Sequence, residues 1–431
     1  MMGKKKANRV VITGMGVVSP NGVGKKQFMA ALRKGKSGIA FQPELEQLGY
    51  RCQVAGVPPL KGAAIREFLA RFQMEEVISS GIIYGCMAAV EAWEDAGLPI
   101  NTNSSDPDID SSCIFGTGSN GAEATIYQIE HAESAMGEKL NPSIPLQSLN
   151  NAVSIYIAYM LGLGGQVTSN ASACSTGTEG LMMAYDKIRY RNEKRILVGS
   201  SESKGAFVWS PFDAMFATAQ DHNKHPEKAS CPLGESATGF VPGAGGGALV
   251  VESLDSALER GAHIYAEIIG GHINSGGQRG DGSMTIGNVH GMIRCIQMAM
   301  ISAGIKPEEI DLISGHLTST IGDIIEIRSW ISATGLMGDA FPYINSTKSM
   351  IGHSLSASGS IESIASIMQL ENNFIHPSLN AHPLHQDIAP YIAAEKIPSK
   401  PILNHNLDIV AKLSLGFGDV NTCIFFKKWK G

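Results

Sequence analysis

A single thiol among small residues is the feature of this sequence best suited to chemistry. In Ser169-Asn170-Ala171-Ser172-Ala173-Cys174-Ser175-Thr176-Gly177-Thr178-Glu179-Gly180, Cys174 precedes an apolar, helix-favouring run from Leu181 to Ile188. The pattern predicts a tight strand-to-helix turn with Cys174 at the helix N-terminus, where unpaired N–H groups and the positive end of the dipole favour thiolate over thiol. Small neighbours leave room for a substrate carbonyl. The competing reading is a buried structural cysteine in an Ala/Ser-rich helix. Two further groups bear on the choice. His316, in Gly315-His316-Leu317-Thr318-Ser319-Thr320, falls just past a predicted strand end, where α/β proteins usually place chemistry. Lys348 and His353 lie five residues apart in the turn Ser346-Thr347-Lys348-Ser349-Met350-Ile351-Gly352-His353. Each histidine taken alone also reads as a satisfied polar residue. A Cys and two His form a possible metal set, but without the close ligand pairs of zinc sites, so no metal is expected.

The elements that must position these groups recur in the same order. Arg9 to Val18 reads as a β-branched strand ending in the turn signal Ser19-Pro20-Asn21-Gly22. Val77 to Leu98 reads as a helix with Gly97 as its stop, followed by an Asp-rich loop and the strand Ser112 to Gly116. The Cys174 turn, its helix and the strand Arg195 to Gly199 complete the series. From about residue 261 it restarts. A strand from Ile264 to Ile269 ends at Gly270-Gly271, and a helix from Val289 to Ala303 stops at Gly304. An acidic loop and strand from Glu308 to Ile313 lead to Gly315-His316. Pro342 to Asn345 then leads into the Lys348 turn, and a long helix runs to about Asn372. The pairing of Glu94-Asp95-Ala96-Gly97 with Ile301-Ser302-Ala303-Gly304 is the clearest echo. Two alternating halves, 1–260 and 261–431, predict a duplicated, largely parallel α/β architecture with a site where the halves meet.

Composition agrees and excludes other classes. A chain of 431 residues with 43% hydrophobic and 6% aromatic content and 49 glycines fits a tightly packed α/β enzyme. The net charge of −6 lacks the basic excess of a nucleic-acid binder. Seven cysteines, at 52, 86, 113, 174, 231, 295 and 423, include no Cys-x-x-Cys pair, as expected of reduced thiols in a cytoplasmic protein. The basic opening Met1-Met2-Gly3-Lys4-Lys5-Lys6 reads as a tail before the first strand. No apolar run approaches the roughly 18 residues of a membrane span. Gly239-Phe240-Val241-Pro242-Gly243-Ala244-Gly245-Gly246-Gly247 lacks the Lys-Ser/Thr of a phosphate-binding loop and leads into a strand, Ala248 to Glu252, so it does not read as a phosphate cradle.

Five separated motifs, in order, resemble the β-ketoacyl-acyl carrier protein synthases, type II condensing enzymes with the thiolase fold. They are Val11 to Gly22, Ala173-Cys174-Ser175-Thr176-Gly177, His316-Leu317-Thr318-Ser319-Thr320, Asn345 to His353, and Gly416-Phe417-Gly418. The resemblance covers nearly the whole chain. It implies an αβαβα core, an acyl thioester on Cys174, and decarboxylation of malonyl carrier protein assisted by His316 and His353. It also implies an oxyanion hole from the N–H groups of Cys174 and Phe417, and Lys348 as electrostatic support. Asp323 and Glu326 resemble the acidic pair that holds this network, although a solvated helix start is an equal reading. Ser119 and the phenylalanines of Ser210-Pro211-Phe212-Asp213-Ala214-Met215-Phe216 are candidates for the acyl pocket, an apolar loop packed on the core being an equal reading of Phe212 and Phe216.

The resemblance implies an acidic acyl carrier protein as partner, substrates carried on its phosphopantetheine, no further cofactor, and a homodimer. Lys61, Arg66 and Arg71 are candidates for the docking rim, against the plainer reading as solvated charges. The alternative role is a non-catalytic, chain-length-determining subunit of a heterodimer, which the presence of Cys174, His316 and His353 disfavours. Three departures stand out. Leu317 replaces a glycine, Gly418-Asp419-Val420-Asn421 replaces Gly-Gly-Thr-Asn, and Ser119 takes the place of an apolar gate residue. The lost glycine in the closing loop is expected to reduce backbone freedom. Together these changes predict a specialised enzyme of polyene or aromatic-capped chains rather than a general fatty-acid elongator.

Overall fold

The computed structural model describes residues 7–100, 105–119, 121–132 and 141–431. The basic tail, and Asn120 of the Gly116 to Gly121 stretch, lie outside them. Ten strands follow one hydrogen-bonded order, with Gly22–Val23 added beside the first. β1 (Val10–Ser19), β2 (Ser111–Thr117), β3 (Val167–Thr168), β4 (Arg195–Glu202) and β5 (Gly245–Ser253) are arranged β3-β2-β4-β5-β1. β6 (Ala266–Ser275), β7 (Leu312–Ser314), β8 (Tyr343–Asn345), β9 (Ile409–Gly416) and β10 (Val420–Lys428) are arranged β8-β7-β9-β10-β6. Both sets have the order third, second, fourth, fifth, first. In both, the first three of that order are parallel and the fifth strand is antiparallel to its neighbours. The sets join where Val10 to Ile12 pair with Ala266 to Ile268.

Five helices complete the layers: α1 (Ser80–Asp95), α2 (Thr176–Arg191), α3 (Val289–Ala303), α4 (Gly322–Thr334) and α5 (Ser358–Asn372). α1 covers the outer face of the first set of strands, and α3, with α4 beside it, that of the second. α2 and α5 lie between the sets, against each other and against strands of both. The result is the expected α-β-α-β-α stack. β1 is buried along its whole length, which explains its continuous apolar run in place of alternation. α5 is buried from Ser358 to Leu370, so its polar side chains must be paired inside the protein. Ser363 and Ser366 return to carbonyls one turn back, and Ser360 meets Ser200 of β4 at 2.8 Å. The N-terminal ends of α2 and α5 touch. A Cβ on Gly177 would stand 2.4 Å from the Ser360 nitrogen, and one on Gly359 2.5 Å from the Thr178 nitrogen.

Several boundaries differ from the sequence expectation. β6 does not stop at Gly270-Gly271 but runs through them to Ser275. There the glycines admit neighbours: a Cβ on Gly270 would stand 2.5 Å from the Ala303 nitrogen, and one on Gly271 2.4 Å from the Met182 sulfur. β5 likewise begins inside the glycine run, at Gly245. α1 is shorter than Val77 to Leu98 at both ends, while α3 stops at Gly304 as the left-handed cap predicts, with φ of 66°.

Candidate active site

Cys174 sits in the turn between β3 and α2, two residues before the first residue of the helix. The turn is braced from within. Ala173 takes a left-handed φ of 48°, and the Thr176 hydroxyl accepts from the Ser172 N–H at 2.9 Å while donating to the Ala173 carbonyl at 2.7 Å. Two hydroxyl pairs tie it to the other half: Ser175 to Thr422 of β10 and Thr178 to Ser414 of β9, each at 2.8 Å. The expectation of a favoured thiolate is corrected. Burial pushes the Cys174 thiol up to about 12, with Glu202 and Glu362 raising it further, against the opposing pull of Lys348. The resting group is a thiol.

His316 follows β7 on a loop held by backbone contacts. Glu326, on the first turns of α4, accepts the His316 N–H at 2.9 Å and the Leu317 N–H at 2.8 Å. Asp323 accepts from Thr318 at 2.7 Å, Ser319 at 3.1 Å and Leu233 at 2.8 Å. Both carboxylates are buried, so the solvated-helix reading fails; they hold the loop rather than the imidazole rings. Burial raises Asp323 to about 6 and Glu326 to about 7 despite these N–H donors. Leu317 is buried with φ of 20° and packs in the apolar cluster around α4.

Lys348 begins a short helix after β8 and is buried. Its Nζ donates to the His316 carbonyl at 2.7 Å and lies 2.5 Å from Glu362 Oε1 on α5. His353 Nδ1 pairs with the Ser358 hydroxyl at 2.9 Å, and the His353 backbone N–H donates to the Val241 carbonyl at 2.7 Å. Thus the glycine-rich 239–247 segment frames His353. The two imidazole centroids are 5.3 Å apart, nearly perpendicular, and His316 Nδ1 is buried without a partner among the described residues. Burial first, then the Lys348 ammonium, lowers both histidines well below their ordinary value, leaving neutral imidazoles.

Cys174, His316, His353 and Phe417 line one cavity of about 490 Å³, with Phe212 and Phe216 also in its wall. Phe212 lies 5.5 Å from Phe240 and 6.0 Å from Phe417, centroid to centroid. Gly416 carries the chain directly over the nucleophile turn, since a Cβ there would stand 2.5 Å from the Ser172 carbonyl oxygen. Asp419 adopts a φ of 64°, and its buried carboxylate accepts the N–H groups of Asn288 at 2.8 Å and Gln278 at 2.9 Å. Asp419 therefore ties the Phe417 loop to the 276–288 loop.

Other candidates fall elsewhere. Ser119 does not line the cavity; its hydroxyl bonds to the buried Glu202 carboxylate, which also takes the Ser356 hydroxyl at 2.7 Å. Lys61, Arg66 and Arg71 are exposed on or beside the Gly62–Arg71 helix and none lines the cavity; Arg71 pairs with Glu94 at 2.8 Å. The Arg51 guanidinium lies 3.4 Å from the centroid of Phe216, whose ring lines the cavity. Thr318, Thr320, Phe240 and Leu355 also line the cavity and were not singled out in the sequence. Glu362 and Lys412 were missed as well, although a charge inside an apolar helix or strand is a readable signal. Among the described residues no group of three His, Cys, Asp or Glu is placed to hold a metal ion, and no helix is long and apolar enough to cross a membrane.

The sequence matches the family model for the β-ketoacyl synthase N-terminal domain over residues 7–257 and that for its C-terminal domain over residues 265–382. The chain belongs to the β-ketoacyl synthase family. A 3-oxoacyl-[acyl-carrier-protein] synthase 1 of Haemophilus influenzae is 34% identical over 427 residues, covering 98% of this chain and 100% of that protein. Two solved structures resemble this β-ketoacyl synthase over 98% of its length and 100% of theirs, each with a TM-score of 0.85. One is the ishigamide ketosynthase/chain length factor, at 26% identity. The other is a type II polyketide synthase acyl carrier protein in complex with its ketosynthase bound to the hexaketide, at 27% identity.

Proposed function

We propose that this β-ketoacyl synthase catalyses decarboxylative condensation between malonyl carrier protein and an acyl group held on Cys174. The observation that carries the residue roles is the convergence of one buried thiol and two neutral imidazoles on a single cavity. Cys174 attacks the acyl thioester, its S–H proton passes to an imidazole, and the departing pantetheine sulfur is protonated. After exchange for malonyl carrier protein, the C–C bond to the carboxylate breaks. Carbon dioxide leaves, and the electron pair passes to an enolate whose oxygen His316 and His353 stabilise by hydrogen bonding. The enolate carbon attacks the acyl carbonyl, whose oxyanion is received by the N–H groups of Cys174 and Phe417. Collapse releases β-ketoacyl carrier protein and the Cys174 thiolate, which is reprotonated. Lys348 fixes the His316 loop and lowers both imidazoles.

We infer that the partner is an acyl carrier protein and that the enzyme works as a cytoplasmic homodimer without a resident cofactor. The pinned Asp419 loop and the strained Leu317 support a specialised acyl substrate, polyunsaturated or aryl-primed, over saturated chains. The test offers the purified protein malonyl carrier protein and a panel of saturated, polyunsaturated and aryl-primed acyl carrier proteins, followed by intact mass and product analysis. Acylation of Cys174 and a β-ketoacyl product are expected, with preference for the unsaturated members. A preference for saturated medium chains overturns the substrate class; no acylation at all favours the non-catalytic subunit.

A further inference from the structure

β9 buries a lysine for which no motif in the sequence accounts. Lys412 lies mid-strand, between Ser314 of β7 and Ile424 of β10, and is 0% exposed. An ammonium without access to water must be matched within the fold. Its Nζ is 2.8 Å from Glu362 Oε2 and donates to the Leu413 carbonyl. The other oxygen of the same carboxylate holds Lys348 at 2.5 Å, and Lys348 holds the His316 carbonyl at 2.7 Å. One buried carboxylate is thus shared by two buried ammoniums. Lys348 alone already neutralises Glu362, so the second lysine adds a large desolvation cost that charge balance does not require.

The groups facing Lys412 from each packed element identify what that charge acts upon. They are Glu362 on α5, Lys348 after β8, Glu326 on α4, Cys423 on β10, and the His316 and His353 rings. Cys295 on α3 lies behind Cys423, and Asp323 lies beside Glu326. Glu362 controls Lys348, and Glu326 holds the backbone N–H groups of His316 and Leu317. Lys412 therefore holds the carboxylate that anchors Lys348, the group that fixes His316 from its carbonyl side, and its charge favours the ionised form of Glu326, which fixes the N–H side.

We propose, resting on the function given above, that Lys412 is a positioning residue for the decarboxylation step, holding Glu362, and through it Lys348, in the arrangement that aims His316. It touches neither substrate nor reacting atoms and acts through those groups. Its positive charge also lowers both imidazoles and favours the ionised form of Glu326.

The test separates the half-reactions in the full chain. Acyl transfer to Cys174 is followed by intact mass, and carbon dioxide release from malonyl carrier protein is followed from about pH 5.5 to about pH 9. Lys412→Met is expected to slow decarboxylation about tenfold or more near pH 6.5, while acyl transfer falls by less than about threefold. The acid limb of decarboxylation moves upward by about half a pH unit or more, because the lost charge raises Glu326 and both histidines. Lys412→Arg keeps the wild-type limb. Equal losses in both half-reactions with an unmoved limb overturn the proposal. If Lys412→Met does not fold, Lys412→Gln is read in its place. Failure of both to fold, with Lys412→Arg unaltered, assigns Lys412 to stability alone and also overturns it. A wild-type chain that neither acylates nor decarboxylates breaks the underlying function instead.

Discussion

The two sets of strands share one topology yet use the same turn differently. In the first, the turn from β3 into α2 presents Cys174; in the second, the turn from β8 towards α5 presents Lys348 and His353. The first turn is held by hydroxyl hydrogen bonds around a left-handed Ala173, a neutral arrangement that leaves one thiol at the cavity wall. The second is stabilised by buried charge, with Glu362 between Lys348 and Lys412. The resting thiol needs access, and the imidazole that takes its proton faces the same cavity. Groups that stabilise an enolate must be fixed before it forms, and buried ion pairs supply that rigidity at the expense of desolvation.

This division can be broken by separating the chemistry of the two turns. Cys174→Ala is expected to reduce condensation by about 10³-fold or more, while carbon dioxide release from malonyl carrier protein persists. Joint loss of both activities would show that the turns do not divide the labour. The reciprocal change, His316→Ala or His353→Ala, is expected to slow decarboxylation about 10²- to 10³-fold with Cys174 still acylated, as read by intact mass. Glu362→Gln tests the charged support directly. It leaves two buried ammoniums uncompensated and is expected to cost about 3–5 kcal/mol, seen as a lower denaturant midpoint. The contact between the halves is probed by Gly177→Ala, whose added Cβ meets α5 backbone; about 1–3 kcal/mol of stability is expected to be lost.

The smallest expected effect is on pH dependence, and it sharpens the same contrast. Glu326 is raised to about 7 from an ordinary 4.5, while His316 and His353 lie well below 6.5. Decarboxylation is therefore expected to fall as pH drops through about 7, when Glu326 gains a proton and loosens the His316 and Leu317 N–H groups. Because the fold favours the protonated form of Glu326, this group does not itself promote acid unfolding. Acyl transfer through the Cys174 turn should show no such limb. Glu326→Gln removes the limb near pH 7 if the assignment is right; its persistence assigns the limb to another group.

Much of the fold was readable because chain order carries it. The α3 stop at Gly304, the strand before Cys174 and the repeated series of elements all follow from periodicity and local caps. The glycines were misread at Gly270-Gly271, since a sequence does not distinguish a glycine that ends a strand from one that admits a neighbouring helix. Ser119 was placed in the acyl pocket by position alone, whereas its hydroxyl is committed to Glu202.

By itself the sequence offered Cys174, His316, His353 and Lys348 as candidates, through motifs that resemble the family, together with the two-part order of elements, because each is a local pattern of residue types. Only the tertiary structure decided the protonation of Cys174, the roles of Asp323 and Glu326 as holders of backbone, and the Lys348–Glu362–Lys412 cluster. Those depend on burial and on partners from strands and helices far apart in the chain. Desolvation and charge pairing act through space, and no spacing along the sequence encodes them.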